Sequence, residues 1–413
     1  MNSWPLIPLD EIADVSAGNP APQDPSHFSD EGHPFVRMQD VGRVHVSPNL
    51  TETVDRITDA AVRQGGLRLY PRGTLLVPKS GASVNLNHRA MLGRAAYVVS
   101  HLATIIPDPE RVDPCYLFHW SMVYDPRKQA QVTSLPSLPL SLIKAALVPL
   151  PPLDEQRRIV GLLDRAAEIR RRADAARAKA RAIIPALFLD TFGDPATNPK
   201  GWPMVEVGDL VGRIDGGWSP TCGAGIPAND EWGVLKLSAV KSGGFDANEA
   251  KPLPNQADAR PELSVRDGDL LFTRKNTLDL VGTAAVVRGS PRRRMLPDTV
   301  FRLVPAGPAS FRPEYLCTLI NLASFRPVIR QLASGSAASM PGISKGRLLK
   351  LRVPVPPMAL QVTFAEQVER LETLARHLDA AAAKAEAMAA GLSAEVFDAG
   401  QRKDAADGSL APC

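Results

Sequence analysis

The chain has 413 residues, 44% hydrophobic and 22% charged, an ordinary balance for two or three globular domains. Its apolar runs fall well short of the ~20 residues that cross a bilayer, and Met1-Asn2-Ser3-Trp4-Pro5 lacks the features of a secretory signal, so a cytoplasmic location is expected. The formal net charge of +4 permits a nucleic-acid partner without arguing for one, and Cys115, Cys222, Cys317 and Cys413 lie too far apart for a zinc site or a disulfide framework.

Short apolar runs broken by glycine and proline fill residues 1–150. Phe35-Val36-Arg37-Met38-Gln39, Gly73-Thr74-Leu75-Leu76-Val77 and Ala95-Ala96-Tyr97-Val98-Val99 read as strands, and Pro114 to Val123 reads as a helix. Val148-Pro149-Leu150-Pro151-Pro152-Leu153 then leads into an alanine-rich stretch. Ile159, Leu162, Ala166, Ile169, Ala173, Ala176, Ala180, Ile183 and Leu187 alternate there by threes and fours, the seam of a heptad helix. Asp154 is expected to cap its start. Gly193 and Pro195 suit its stop, and Pro185 is expected to kink its last turn or two.

The chain then repeats itself. Trp202-Pro203-Met204-Val205 answers Trp4-Pro5-Leu6-Ile7, and Val234-Leu235-Lys236-Leu237-Ser238 answers 35–39. Gly268-Asp269-Leu270-Leu271-Phe272 answers 73–77, and a helix is expected from Pro313 to Leu322. Val353-Pro354-Val355-Pro356-Pro357-Met358 stands 205 positions after its counterpart. The same offset carries the seam onto Phe364, Gln367, Leu371, Leu374, Leu378, Ala381, Ala385, Met388 and Leu392. The offset drifts in the globular regions and locks in the helices, as for adaptable loops on a rigid part. Helices of 35–40 residues at 1.5 Å each reach roughly 55 Å. Neither apolar stripe can stay wet, and each is the other's obvious partner.

The expected class is α+β: two globular α/β domains joined by two long antiparallel helices that form a coiled-coil spacer, with a pseudo-twofold internal repeat. The expected divisions are a first domain over 1–150, a first helix over 151–195, a second domain over 196–355, a second helix over 356–400 and a flexible tail over 401–413.

This pattern resembles the specificity subunits of type I DNA restriction–modification systems. The resemblance covers nearly the whole chain. It is most specific at 148–159, at Leu187-Phe188-Leu189-Asp190-Thr191-Phe192-Gly193-Asp194-Pro195, at 268–274 and at Gly342-Ile343-Ser344-Lys345. Met358-Ala359-Leu360-Gln361 departs from the usual Leu-x-Glu-Gln. The resemblance implies a subunit that does no chemistry itself. Each target-recognition domain would read one half of a bipartite double-stranded DNA site, and the helices would set the gap and dock two modification subunits. S-adenosylmethionine, ATP and magnesium would sit on the modification and restriction/translocase partners, with no cofactor or metal on this chain. Successive major-groove faces on one side of a duplex recur every ~34–36 Å, within reach of such a spacer.

Base reading needs donors and acceptors at base edges, whereas phosphate contacts position the protein. Lys79, Ser80, Asn85, Asn87 and Arg89 follow a strand of the first domain. At the equivalent place the second has Arg274, Lys275 and Asn276, then Arg292, Arg293 and Arg294. Asn can pair with adenine and Arg with guanine. Arg37 and Lys236 occupy matching strand positions and complete the candidates. Asp230 with Glu249 and Lys251 lacks the setting of a nuclease site, and Cys222-Gly223-Ala224-Gly225 follows a loop signal rather than a strand, against a methyltransferase cofactor loop. The alternative is a non-catalytic adaptor whose helices bind protein partners.

Overall fold

The computed structural model describes residues 4–44, 49–81, 83–125, 137–289, 291, 293–334 and 340–407, leaving aside the side chains of 181 and 398–407. Arg292 and Cys413 lie outside the described residues. The chain divides into two compact units, Met1–Arg171 with Ala380–Cys413, and Arg172–Asp379. The division falls inside both long helices, so each unit holds part of both.

The first unit contains β1 (Leu6–Pro8), β2 (Ala13–Ala17), β3 (Phe28–Val36), β4 (Asp55–Ile57), β5 (Leu75–Pro78), β6 (Ala90–Met91), β7 (Tyr97–Val98), β8 (Leu102–Pro107) and β9 (Leu147–Pro149). Its helices are α1 (Met38–Val44), α2 (Asp59–Gly65), α3 (Ser83–Leu86), α4 (Pro114–Val123), α5 (Leu140–Lys144) and the start of α6 (Leu153–Phe192). Its sheets run β2-β8-β5-β6, β4-β3-β7 and β1-β9.

The second unit contains β10 (Met204–Glu206), β11 (Val211–Gly216), β12 (Gly233–Leu235), β13 (Val240–Lys241), β14 (Gly244–Phe245), β15 (Ala250–Pro252), β16 (Leu270–Thr273), β17 (Ala284–Val286), β18 (Arg294–Met295), β19 (Val300–Pro305) and β20 (Arg352–Pro354). Its helices are α7 (Val207–Leu210), α8 (Pro313–Asn321), α9 (Arg326–Gln331), α10 (Lys345–Leu349) and the start of α11 (Met358–Asp407). The sheets β11-β19-β16-β17, β15-β12-β18 and β10-β20 reproduce those of the first unit strand for strand, and β13-β14 is an added hairpin. In each three-stranded sheet one pair is parallel, β3 with β7 and β12 with β18. The duplication read from the sequence is therefore a duplication of topology.

The central strands are buried on both faces, which explains their unbroken apolar runs. Leu75 and Val77 enter one core while Leu76 enters another. Leu270 and Phe272, against Leu271, do the same in the second unit. This is the two-residue period of a strand.

Both long helices form as expected, with differences at their ends. α6 begins at Leu153, so Asp154 lies in its first turn rather than capping it, and pairs with Arg157 at 3.3 Å. α6 runs as one helix across Pro185 and stops before Gly193, whose φ of 78° is the left-handed stop. α11 continues to Asp407, so 401–407, expected as flexible tail, extend the helix. At 40 and 50 residues the helices are about 60 and 75 Å long, the second longer than expected.

Within each unit the two helices pack antiparallel. In the first, Ile159 and Leu163 near the start of α6 share a core with Val396 and Phe397 near the end of α11, and Arg170 pairs with Glu386 at 3.1 Å. In the second, Phe188 and Phe192 near the end of α6 ring Phe364 near the start of α11 at 5.6 and 5.3 Å, and Arg177 pairs with Asp379.

The heptad is correct and half of the assigned seam is not. Ile159, Ala166, Ala173 and Phe364 are buried, and Leu187, Leu371, Leu378, Ala385 and Leu392 half-buried. The other expected column is displaced by one residue. Leu162, Ile169 and Ile183 are 39%, 40% and 47% exposed, and Leu374 and Met388 are 57% and 67% exposed. One place further on, Leu163, Val368 and Ala382 are buried and Ile184, Ala375 and Ala389 half-buried, whereas Arg170 is exposed like Ile169.

Each helix is joined to the preceding globular part by the same device. Gln156 is fully buried; its Oε1 accepts from Asp113 N at 2.8 Å and its Nε2 donates to Arg111 O and Pro151 O at 3.0 and 2.8 Å. Gln361, 205 positions on, accepts from Arg312 N at 3.0 Å and donates to Pro356 O at 2.9 Å. Tyr116 and Tyr315 each donate a 2.7 Å bond to a proline carbonyl, of Pro149 and Pro354. These buried bonds account for the strict spacing of the proline segments. The departure at Met358–Leu360 spares the glutamine that carries them.

Candidate nucleic-acid interface

Lys79, Ser80, Asn85, Asn87 and Arg89, and Arg274, Lys275 and Asn276, fall on two equivalent hairpins. β5 pairs with β6 through Leu76 and Ala90, and β16 with β17 through Leu271 and Ala285, so the intervening loops are of equal length. Three places before the returning strand partner each loop is left-handed, at Asn87 with φ 52° and at Gly282 with φ 74°; the first loop has a further left-handed residue, Gly81 at φ 79°. Asparagine is among the few side chains that tolerate this conformation. Each loop is also bridged at its start, Ser80 to Ser137 and Lys275 to Gly342.

In the first loop Lys79 is half-buried, its N–H bonded to His101 O at 3.0 Å, and Asn85 is exposed. Ser80 Oγ lies 2.7 Å from His101 Nδ1, a partner not foreseen from the sequence. Asn87 Oδ1 accepts from Arg89 at 2.6 Å. Arg89 is 1% exposed and also donates to His88 O and Tyr124 O. It is removed from the candidate readers: its guanidinium supports the loop from within.

In the second loop the Arg274 guanidinium stacks over Phe301 at 5.1 Å, and Lys345 Nζ approaches the same ring at 5.7 Å while donating to Ile214 O. Lys275 stands 3.8 Å from Asp298, and Asn276 Oδ1 accepts from Thr277 N. Lys345 joins this cationic cluster although it was not among the sequence candidates. The signal was its position three residues after Gly342, the bridge partner of Lys275.

Arg293 and Arg294 belong elsewhere. Arg294 is 4% exposed and gives its N–H groups to the carbonyls of Pro227, Glu231 and Ala247. Buried and engaged by these carbonyls, it supports the fold from within, and burial lowers its pKa. Arg293, at φ 53°, donates to Asp230 O. Arg37 and Lys236 do occupy matching positions, and each is met by a carboxylate. Arg37 pairs with Asp55 and lies over Phe28 and Phe35, and Lys236 stands 3.6 Å from Glu249. Glu249 is held below the usual carboxylate range by its hydrogen bond from Ser238, then by Lys236. Among the described residues no cluster of His, Cys, Asp and Glu is arranged for a metal, and no helix is long and apolar enough to cross a membrane.

Exposed apolar residues also lie on the helix segments of each unit. Leu162, Ile169 and Ile183 repeat at heptad places on α6, as Leu374 and Met388 do on α11, and all are exposed. A repeated exposed apolar stripe marks a partner surface more often than scattered leucines do.

No protein-family model matches the chain. It is 31% identical over 176 residues, 42% of its length, to the specificity subunit of the type I restriction enzyme EcoEI of Escherichia coli. That match spans 30% of the relative's length. The structure aligns with the crystal structure of the type I restriction–modification S subunit from M. genitalium at a TM-score of 0.60 and 13% identity, covering 95% of this chain and 96% of that one. It also aligns, at a TM-score of 0.52 and 18% identity over 97% and 98% of the two chains, with a structure concerning complex assembly and conformational transition of the type I system. The chain has the fold of type I restriction–modification specificity subunits and is similar in sequence to one of them, as its internal repeat led us to expect.

Proposed function

We propose that this chain is the non-catalytic DNA-recognition subunit of a type I restriction–modification complex. Each globular part reads one half of a split duplex target through its hairpin loop, 79–89 or 274–283, and the helix pair sets the unspecified gap. The observation that carries this reading is the duplication down to loop length and left-handed position, with one loop backed by Arg274, Lys275 and Lys345. The exposed apolar residues of the long helices, Leu162, Ile169 and Met388 in the first unit and Ile183 and Leu374 in the second, dock two modification subunits. S-adenosylmethionine serves those subunits, ATP and magnesium serve restriction/translocase subunits, and the complex works on DNA in the cytoplasm. The solved structure titled for type I complex assembly supports this view of the partners.

Duplex binding measured against salt tests the proposal. A recognition subunit neutralising Z phosphates gives log K falling with log salt at about −0.9Z. A protein adaptor gives no such slope on duplex, and that result would remove the DNA reading.

A further inference from the structure

The second recognition hairpin has a tether that the first lacks. β17 leaves loop 274–283 and leads into Arg288, two residues beyond its end. Leu270 pairs with Val286 as Leu75 pairs with Met91, so the counterpart of Arg288 is Gly93. Arg288 is 15% exposed. Its Nη1 lies 3.1 Å from Glu314 Oε1 on α8, and its Nε lies 2.6 Å from Glu372 Oε2 on α11. Glu314 is 5% exposed, with Arg312 Nε 3.7 Å from its other oxygen. Burial opposes the charge on Arg288, and the two carboxylates outweigh it, so its pKa is raised.

Beside the triad is a cavity of about 410 Å³, whose lining includes Val286, Glu314, Cys317, Val368 and Glu372. Val286 of β17 and Val368 of α11 belong to one buried core, and the cavity lies beside them. Next to that core the Arg288 guanidinium meets the two carboxylates that line the cavity, and so adds a directional link between the strand and α11. Buried ion pairs contribute little net stability, yet losing one member is costly and their directionality can impose a single arrangement. A recognition constellation needs its geometry held to about 0.5 Å.

We propose that Arg288 is a positioning residue that fixes the second recognition hairpin to the spacer helix, so that fidelity at the second half-site alone depends on it. This rests on the DNA-recognition reading above.

The test uses the full chain assembled with its modification subunits, and methylation rates on duplexes carrying single-base changes in either half. Arg288→Gln, and the neutral triple variant Arg288→Met, Glu314→Gln, Glu372→Met, should accept changes in the second half at least ~10-fold more readily, with the first half unchanged. Arg288→Lys, which keeps the charge but not the two-sided fork, should fall between. The melting temperature of each variant separates this from lost stability: lower stability reduces methylation at every site and leaves the pattern of accepted bases intact. Unchanged discrimination in a folded variant, or equal loosening of both halves, overturns the proposal. Absence of any split target for the unaltered chain would instead defeat the underlying recognition reading, and this inference with it.

Discussion

The buried glutamines give the sharpest test of how helix and globular part are joined. Gln156→Leu keeps much of the side-chain volume and leaves Asp113 N, Arg111 O and Pro151 O without their partner. An unsatisfied buried polar group costs about 1–3 kcal/mol, carbonyls toward the low end, so the loss should total about 3–5 kcal/mol. Gln361→Leu deprives one N–H and one carbonyl, Arg312 N and Pro356 O, and should cost about 2–4 kcal/mol. Glu at position 156 should be worse than Leu, because it buries a negative charge facing the carbonyl oxygens of Arg111 and Pro151. Hydrogen exchange read by mass spectrometry assigns each loss to its unit. Gln156→Leu should deprotect peptides around 106–123 and 147–163, while those around 300–321 stay protected; Gln361→Leu should do the reverse. A cost under about 1 kcal/mol for both, or deprotection in the other unit, would refute the anchoring role.

Neighbouring residues on α6 should behave oppositely. Leu163→Ala should destabilise by about 2–5 kcal/mol in urea melts as a buried truncation, whereas Leu162→Glu should leave the melt within about 1 kcal/mol and, with Ile169→Glu, abolish co-purification of modification subunits. Arg294→Ala should destabilise the chain through its orphaned carbonyls. Lys275→Ala should leave stability intact and, if it meets phosphate, reduce the salt slope of duplex binding by about 0.9. Burial lowers the pKa of His119 below its usual 6.5, against the opposing pull of Asp164. The unfolded chain therefore binds the proton first, and stability should fall as pH drops through the window just below 6.5. Melts from pH 7.5 to 5 should show this fall weakened in His119→Gln.

The repeat was legible because its landmarks are rigid. Proline segments, Gln156 with Gln361, and Tyr116 with Tyr315 make the same buried bonds twice, so they resist drift. The seam was misassigned for a physical reason. Apolarity favours Leu162, Ile169, Leu374 and Met388, yet the structure exposes them, while Arg170, also exposed, and half-buried Arg177 each pair with a carboxylate on the facing helix. A helix that serves two partners carries two apolar stripes, and sequence alone cannot say which faces inward. Loop positions were legible from the matching strands, but not the fates of their cations. Arg89 and Arg294 are satisfied by carbonyls from distant segments, contacts that leave no local pattern.

The central claim is that two like hairpins read two halves of one duplex. Sequencing methylated bases in cells that carry this chain with its modification subunits tests it most directly. A split motif with a fixed gap should appear, and replacing loop 274–283 should change one half and leave the other and the gap unchanged. A contiguous motif, or a loop exchange that alters both halves, would contradict the account.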